Sequence, residues 1–327
     1  MTAHAVAPPA RLVADAAAAP PPPLGVSVAG LAFQNPIVLA SGTAGYGHEL
    51  AGVVDLDALG GLVTKCVSLE PRAGNAAPRV GEFPGGMINA VGLANPGLEA
   101  VRSRELPALA AQVRRARVIV NVVGFAVDEF ARVVEGLEGA AAVEAYELNV
   151  SCPNVKQGGT EFGADPRALA QVVGSARAVT RRPLFVKLSP ALPDIAGTAR
   201  VAVDAGADAL TLVNTLPGLV VDVERRRPVL GYGTGGISGA GLLAVGVLAT
   251  WKVTRAVRVP VVGLGGVRSA EDALQYLLAG ATLVGIGTAA MQDPRAPERV
   301  VRDLRRWCER HGVRSVGELV GALEWPA

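Results

Sequence analysis

At 327 residues, half of them hydrophobic but only 4% aromatic, the chain can bury a large core of Ala, Val and Leu, which suits buried parallel strands better than an antiparallel sandwich. A net charge of +2 points to no polyanionic partner, and the one basic triplet, Arg225 to Arg227, stands beside Asp222 and Glu224 as a solvated loop rather than a nucleic-acid patch. Three widely spaced cysteines, Cys66, Cys152 and Cys308, argue against a disulfide framework, supply no iron–sulfur ligand set and fit a reducing, cytoplasmic compartment.

Residues 1–24 are rich in Ala and Pro, lack the basic start and apolar core of a secretory signal, and are read as a disordered tail. Gly25 to Phe33 reads as a short hairpin. Eight apolar runs follow, each with a helix-length segment or a long loop behind it: Pro36 to Ala40, Gly61 to Lys65, Arg117 to Val123, Ala145 to Val150, Leu184 to Leu188, Ala209 to Asn214, Val259 to Leu264 and Thr282 to Ile286. This predicts an α/β fold, a (β/α)₈ TIM barrel in one domain over residues 25–327. An open doubly wound sheet is the structural rival, but its glycine turn would follow the first strand, and here the glycine turns come late.

Apolar spacing predicts helices over Glu99 to Arg114, Asp128 to Leu137, Asp165 to Val179, Asp194 to Asp204 and Ala270 to Leu278. The uncharged stretch Pro228 to Trp251 is long enough to raise a membrane question; glycines break its first half, so it is read as a loop followed by a buried helix from about Ser238. Two connections, Cys66 to Ala94 and Leu216 to Gly236, exceed simple barrel turns and are expected to cover the active face.

In such barrels the chemistry lies just past the C-terminal ends of the strands. Those positions hold Ser41 with Gly42, Lys65, Asn121, Asn149 with Cys152, Lys187, Asn214 with Thr215, Gly263 to Gly266, and Gly285 to Thr288. Each taken singly is as well explained by a turn, a cap or a surface role. Two lysines and three asparagines converging on one rim are harder to dismiss, because an ammonium facing a barrel mouth needs an anionic or carbonyl-rich partner. Paired glycine turns after the last two strands suit a phosphate. A free cysteine is usually an inert small hydrophobe, and Cys66 and Cys308 are read that way; Cys152, on a polar loop after the fourth strand, is a candidate for catalysis.

These residues carry a resemblance. Asn35-Pro36 with Ala40-Ser41-Gly42-Thr43, Thr64-Lys65, Leu69 to Asn75, Gly86 to Leu93, Asn149 to Lys156, Lys187 to Pro190, Asn214-Thr215, Thr234 to Gly239 and both late glycine turns resemble the class 1 dihydroorotate dehydrogenases over roughly Gly25 to Asp293. Glu147-Leu148-Asn149 and Val155 to Gly159 resemble the NAD-linked (class 1B) catalytic subunit most closely. The resemblance implies FMN as cofactor and oxidation of (S)-dihydroorotate to orotate in pyrimidine (UMP) biosynthesis, with Cys152 as general base and hydride passing to the flavin. By match to the family, Ser41, Lys65, Asn121, Asn149, Lys187, Val213, Gly239, Gly265, Gly266, Gly287 and Thr288 would hold FMN. Lys65, Asn89, Ala90, Val91, Gly92, Leu93, Asn149, Asn214 and Thr215 would hold the substrate.

The subclass further implies an electron-transfer subunit carrying FAD and a [2Fe–2S] cluster, in a homodimer or heterotetramer, with no nucleic acid, membrane or metal partner. Val123-Gly124-Phe125, Gly231-Tyr232-Gly233 and Ala44 depart from the family pattern. The rival readings are a fumarate-linked class 1 enzyme, a relative of the flavin domain of dihydropyrimidine dehydrogenase, and a phosphate-binding barrel without chemistry.

Overall fold

The computed structural model describes residues 24–50, 52–151, 153–154 and 160–326. Cys152 and residues 1–23 of the expected tail lie outside the described residues. Leu24, which the tail reading takes in, is fully buried in the core.

Eight parallel strands close a barrel in chain order: Ile37–Leu39, Gly61–Val63, Arg117–Val122, Ala145–Asn149, Leu184–Leu188, Ala209–Leu212, Val261–Leu264 and Leu283–Ile286. Pairing of Val284 with Ile37 joins the last strand to the first, which rules out the open sheet. Every strand falls within a run expected from the sequence. The runs are legible because parallel strands covered on both faces need apolar residues at nearly every position.

Side chains along each strand alternate between the barrel interior and the helical shell. Val38, Val63, Ile119, Ala145, Phe185, Ala209, Val262 and Leu283 form an inner apolar cluster with Val28 and Phe33 of the hairpin Val26–Val28/Leu31–Phe33. Two residues further along the same faces, the apolar side chains give way to Asn121, Glu147, Lys187 and Thr211. The barrel thus has an oily floor and a polar layer above it.

The helices pack around this ring. Val127–Leu137 buries Phe130, Val133, Val134 and Leu137. Asp165 caps Pro166–Val179 by accepting from the Arg167 and Ala168 amides, Asp194 caps Ile195–Asp204, and Ser269 with Asp272 forms a capping box on Ala270–Leu278. The segment expected as one helix from Glu99 runs instead over Leu98–Gln112 with a wide π turn at Val101–Glu105.

The two long connections pair with each other. Val80–Phe83 and Gly86–Asn89 from the first join Leu216–Gly218 and Gly235–Ser238 from the second in a four-stranded antiparallel sheet. Gly235–Ser238 is therefore a strand, and the helix expected from about Ser238 begins at Leu243, running to Thr254. The glycines there serve close approach: a Cβ on Gly235 would stand 2.5 Å from the Asn89 carbonyl oxygen. Among the described residues, no helix is long and apolar enough to cross a membrane and no cluster of three potential metal ligands occurs.

Candidate active site

A cavity of about 1100 Å³ lies between the C-terminal ends of the barrel strands and the four-stranded sheet. From the strand ends it is lined by Ser41, Lys65, Asn149, Lys187, Val213, Asn214, Thr215, Gly265, Gly266, Gly287 and Thr288. From the loops it receives Asn89, Ala90, Val91, Gly92, Leu93 and Gly239. Every site residue expected from the sequence is thus brought to one cavity except two: Cys152, outside the described residues, and Asn121, which is fully buried beneath the wall.

The cavity is rich in unbalanced positive charge. Lys187 is only 6% exposed, and neither it nor Lys65 has a carboxylate within ion-pair distance among the described residues. An ammonium so placed is costly unless a ligand supplies electron density. The neutral amides beside them are mutually fixed: Asn214 Nδ2 donates to Asn149 Oδ1 at 3.3 Å, and Asn214 Oδ1 accepts from the Thr215 amide at 2.9 Å.

At the other end the chain backbone itself forms the wall. Gly266 has φ +72°, and a Cβ there would lie 2.6 Å from the amide nitrogen of Leu243, at the start of the preceding helix Leu243–Thr254. Only glycine lets this turn close against that helix. Tyr276 Oη donates to the Gly265 carbonyl at 2.8 Å, and Thr288 Oγ1 donates to Ser238 Oγ at 2.8 Å, tying the two strand-end turns to their surroundings. Glycine turns of this kind bring backbone close enough to a ligand to suit an anion such as a phosphate.

Three features escape the sequence reading. Glu147 is 2% exposed in the polar layer and accepts from Asn121 Nδ2 and Thr211 Oγ1, each at 2.7 Å. Its signal was a lone charge in an apolar strand, at the same parity as Asn149. Glu161 also lines the cavity; burial pushes its carboxyl above the ordinary range while a hydrogen bond with Ser189 opposes the shift. Arg72 stacks on Phe125 at the cavity wall, a pairing with no local sequence signature. Cys66 behaves as expected: burial pushes its thiol up to about 11, against the pull of Lys65 and Arg72.

A family model described as dihydroorotate dehydrogenase matches residues 23–307. The chain belongs to the dihydroorotate dehydrogenase family. It is 48% identical over 303 residues to the "Dihydroorotate dehydrogenase B (NAD(+)), catalytic subunit" of Pelobacter propionicus, covering 93% of this chain and 99% of that one. The protein of the same description from Desulforudis audaxviator is 50% identical over 297 residues, covering 91% and 96%, and that from Geobacter sulfurreducens is 45% identical over 303 residues, covering 93% and 99%. As a member of the dihydroorotate dehydrogenase family the protein is an oxidoreductase. Its relatives bear out the NAD-linked subclass read from Glu147 to Gly159 and tell against a barrel without chemistry.

Proposed function

We propose that this protein is the catalytic subunit of an NAD-linked dihydroorotate dehydrogenase that oxidises (S)-dihydroorotate to orotate on FMN. The observation that carries this is the pairing, in one cavity, of glycine turns with two lysines that have no carboxylate partner among the described residues. A cavity of about 1100 Å³ exceeds the roughly 300–1,000 Å³ that one drug-sized ligand needs, which leaves room for a flavin and a second small ring.

The residues fit FMN by chemistry. Gly239, Gly265, Gly266, Gly287 and Thr288 would hold the phosphate, and Ser41, Asn149 and Val213 would line the ring. Lys65 and Lys187 would stand against its carbonyl-bearing edge, where their charge favours an anionic reduced form. Asn121, which would hold FMN by its match to the family, lies beneath the wall, where its Oδ1 is a buried acceptor without a partner among the described residues. FMN supplies the acceptor for a hydride from ring carbon 6 of the substrate.

The chain's own part is binding and proton transfer. Asn89 to Leu93, Asn149, Asn214 and Thr215 would orient the amide-rich substrate ring, and Lys65 would face both ring and substrate. Cys152, by its match to the family, would take the proton from ring carbon 5, so that the two hydrogens lost leave as one proton and one hydride. The four-stranded sheet would shield the site from water. An electron-transfer subunit carrying FAD and a [2Fe–2S] cluster would pass the electrons to NAD⁺, in a homodimer or heterotetramer.

Anaerobic dihydroorotate should bleach the flavin absorbance of the purified protein, and NAD⁺ should reoxidise it only when the partner subunit is co-expressed. Cys152→Ala should retain FMN and lose most of the bleaching rate. Protein that takes up no FMN, or that reduces uracil and ignores dihydroorotate, refutes the reading; reoxidation by fumarate alone refutes the NAD-linked part.

A further inference from the structure

The cavity is lined by a carboxyl group for which neither the fold nor the proposed reaction has a use. Glu161 is half-buried there. It opens the short turn Phe162–Ala164, yet its side chain makes no capping hydrogen bond to that turn. Its hydrogen bond goes instead to Ser189, a buried residue two positions beyond Lys187. Burial costs a carboxylate more than a neutral amide of the same shape, so stability does not explain an acid at this place.

The backbone gives the position a meaning. Thr160–Glu161 runs antiparallel to Pro153–Asn154, with Glu161 directly opposite Pro153. Opposed residues of such a pair are about 4.5–5.5 Å apart at Cα. Glu161 thus stands across from the residue to which Cys152, the base of the proposed reaction, is covalently joined.

That reaction needs a place to put a proton. A thiol must be ionised before it can take the hydrogen from ring carbon 5, and afterwards it must be emptied again. With a reference pKa of ~8.5 and recombination at a diffusion ceiling of ~10¹⁰ M⁻¹s⁻¹, a thiol sheds its proton to water only about 30 times a second. This is close to a typical turnover of about 10 s⁻¹, so the unaided step would limit the rate. A carboxylate is a far stronger acceptor than water.

We propose that Glu161 is the proton acceptor that resets the base, taking the proton from the Cys152 thiol and passing it to solvent. The inference rests on the reading of Cys152 as base and deepens it. One proton leaves ring carbon 5 for sulfur; the S–H bond then breaks as the O–H bond of the Glu161 carboxyl forms, and water takes the proton from there. The hydride and its electron pair go to the flavin as before. Burial, with Ser189 opposing, holds the Glu161 carboxyl above its ordinary value and so narrows its gap to a thiol. Lys65, Arg72, Glu82, Lys187 and Arg268 line the same cavity, but the shift is set by burial and Ser189 rather than by their charges.

The test is stopped-flow bleaching of the FMN-loaded protein by anaerobic dihydroorotate at neutral pH, over a range of imidazole concentrations. The wild type should bleach at a rate independent of imidazole. Glu161→Gln keeps the shape but cannot accept a proton; it should bleach roughly tenfold more slowly at low imidazole and recover most of the rate as imidazole rises. Glu161→Asp, which restores a carboxylate, should bleach without that help. A merely structural role would slow Glu161→Gln with no rescue by imidazole, or change nothing, and either result overturns the proposal while the flavin reading stands. A wild type that dihydroorotate does not bleach, or a Cys152→Ala variant that bleaches at full rate, sinks the underlying reading as well. If Glu161→Gln is recovered without FMN, Glu161→Ala must show the same dependence on imidazole, and its absence rejects the inference.

Discussion

The guanidinium carbon of Arg72 lies 4.0 Å from the centroid of the Phe125 ring, so a cation at the cavity wall is held by an aromatic face rather than by a carboxylate. Both residues are anchored through their backbones. Arg72 exchanges two hydrogen bonds with Asn95, at 2.8 and 3.1 Å, and the Phe125 amide donates to Glu129 at 2.8 Å. Phe125 belongs to the turn Val123-Gly124-Phe125, which the sequence reading marks as a departure from the resemblance. Replacing it with Leu should release Arg72 at a cost of about 0.5–1 kcal/mol. The expected outcome is a KM for dihydroorotate raised roughly two- to fivefold, with kcat little changed. A drop in kcat at constant KM would show that the ring serves the chemical step instead.

Lys187 should act as a debt carried by the apoprotein and settled by its ligand. Because the ammonium is buried without an ion-pair partner among the described residues, Lys187→Met should raise the unfolding free energy of the apoprotein by about 1–3 kcal/mol. The same variant should bind FMN more weakly, so that the gain in Tm on adding FMN shrinks. Thermal melts with and without FMN measure both changes. A less stable apoprotein would contradict the account.

At the phosphate end, Gly266→Ala introduces a Cβ at φ +72° and within 2.6 Å of the Leu243 amide nitrogen. Left-handed strain alone costs about 1–2 kcal/mol, and the contact pushes the helix start away from the turn. FMN affinity should fall by more than tenfold, while riboflavin, which has no phosphate, should be bound as it is by the wild type. Equal losses for both would place the phosphate elsewhere.

Glu161 gives a pH signature. Burial raises its carboxyl above the ordinary value of 4.5, with the Ser189 hydrogen bond opposing. A carboxyl raised by folding contributes stability that is fully present below its unfolded value and is lost as pH climbs through the folded one. Glu161→Gln, uncharged throughout, should therefore gain stability over the wild type as pH rises above that ordinary value, and the two should converge in more acid solution. Denaturant melts across this range test the sign; a variant less stable at neutral pH would reverse it.

Much of this was legible in the chain. The strand Leu184–Leu188 falls where its apolar run begins and ends, with Lys187 the one polar position inside it, because a strand buried on both faces takes apolar residues at nearly every position. Lys65, Lys187 and the late glycine turns stood out because each ends such a run. Asn121 was expected at the wall and lies beneath it: its strand continues to Val122, and its side chain falls in the same interior layer as Glu147 and Thr211. That layer depends on inter-strand register, which local patterning does not encode. Gly235–Ser238 was invisible for a related reason, since its pairing partners lie in another excursion and its glycines read locally as a loop.

The cover over the cavity is stitched from segments far apart in the chain: Asn89 Nδ2 reaches the Gly236 carbonyl 147 positions away, and the two backbones run paired at that point. Two homologous genes recombined anywhere between these positions would hand one parent's half of the sheet to the other parent's half. Most of the barrel could tolerate such a chimera. The roof could not, unless Gly235 and Gly236 still met a partner strand in matching register, so the two excursions should be inherited, exchanged and redesigned as one unit.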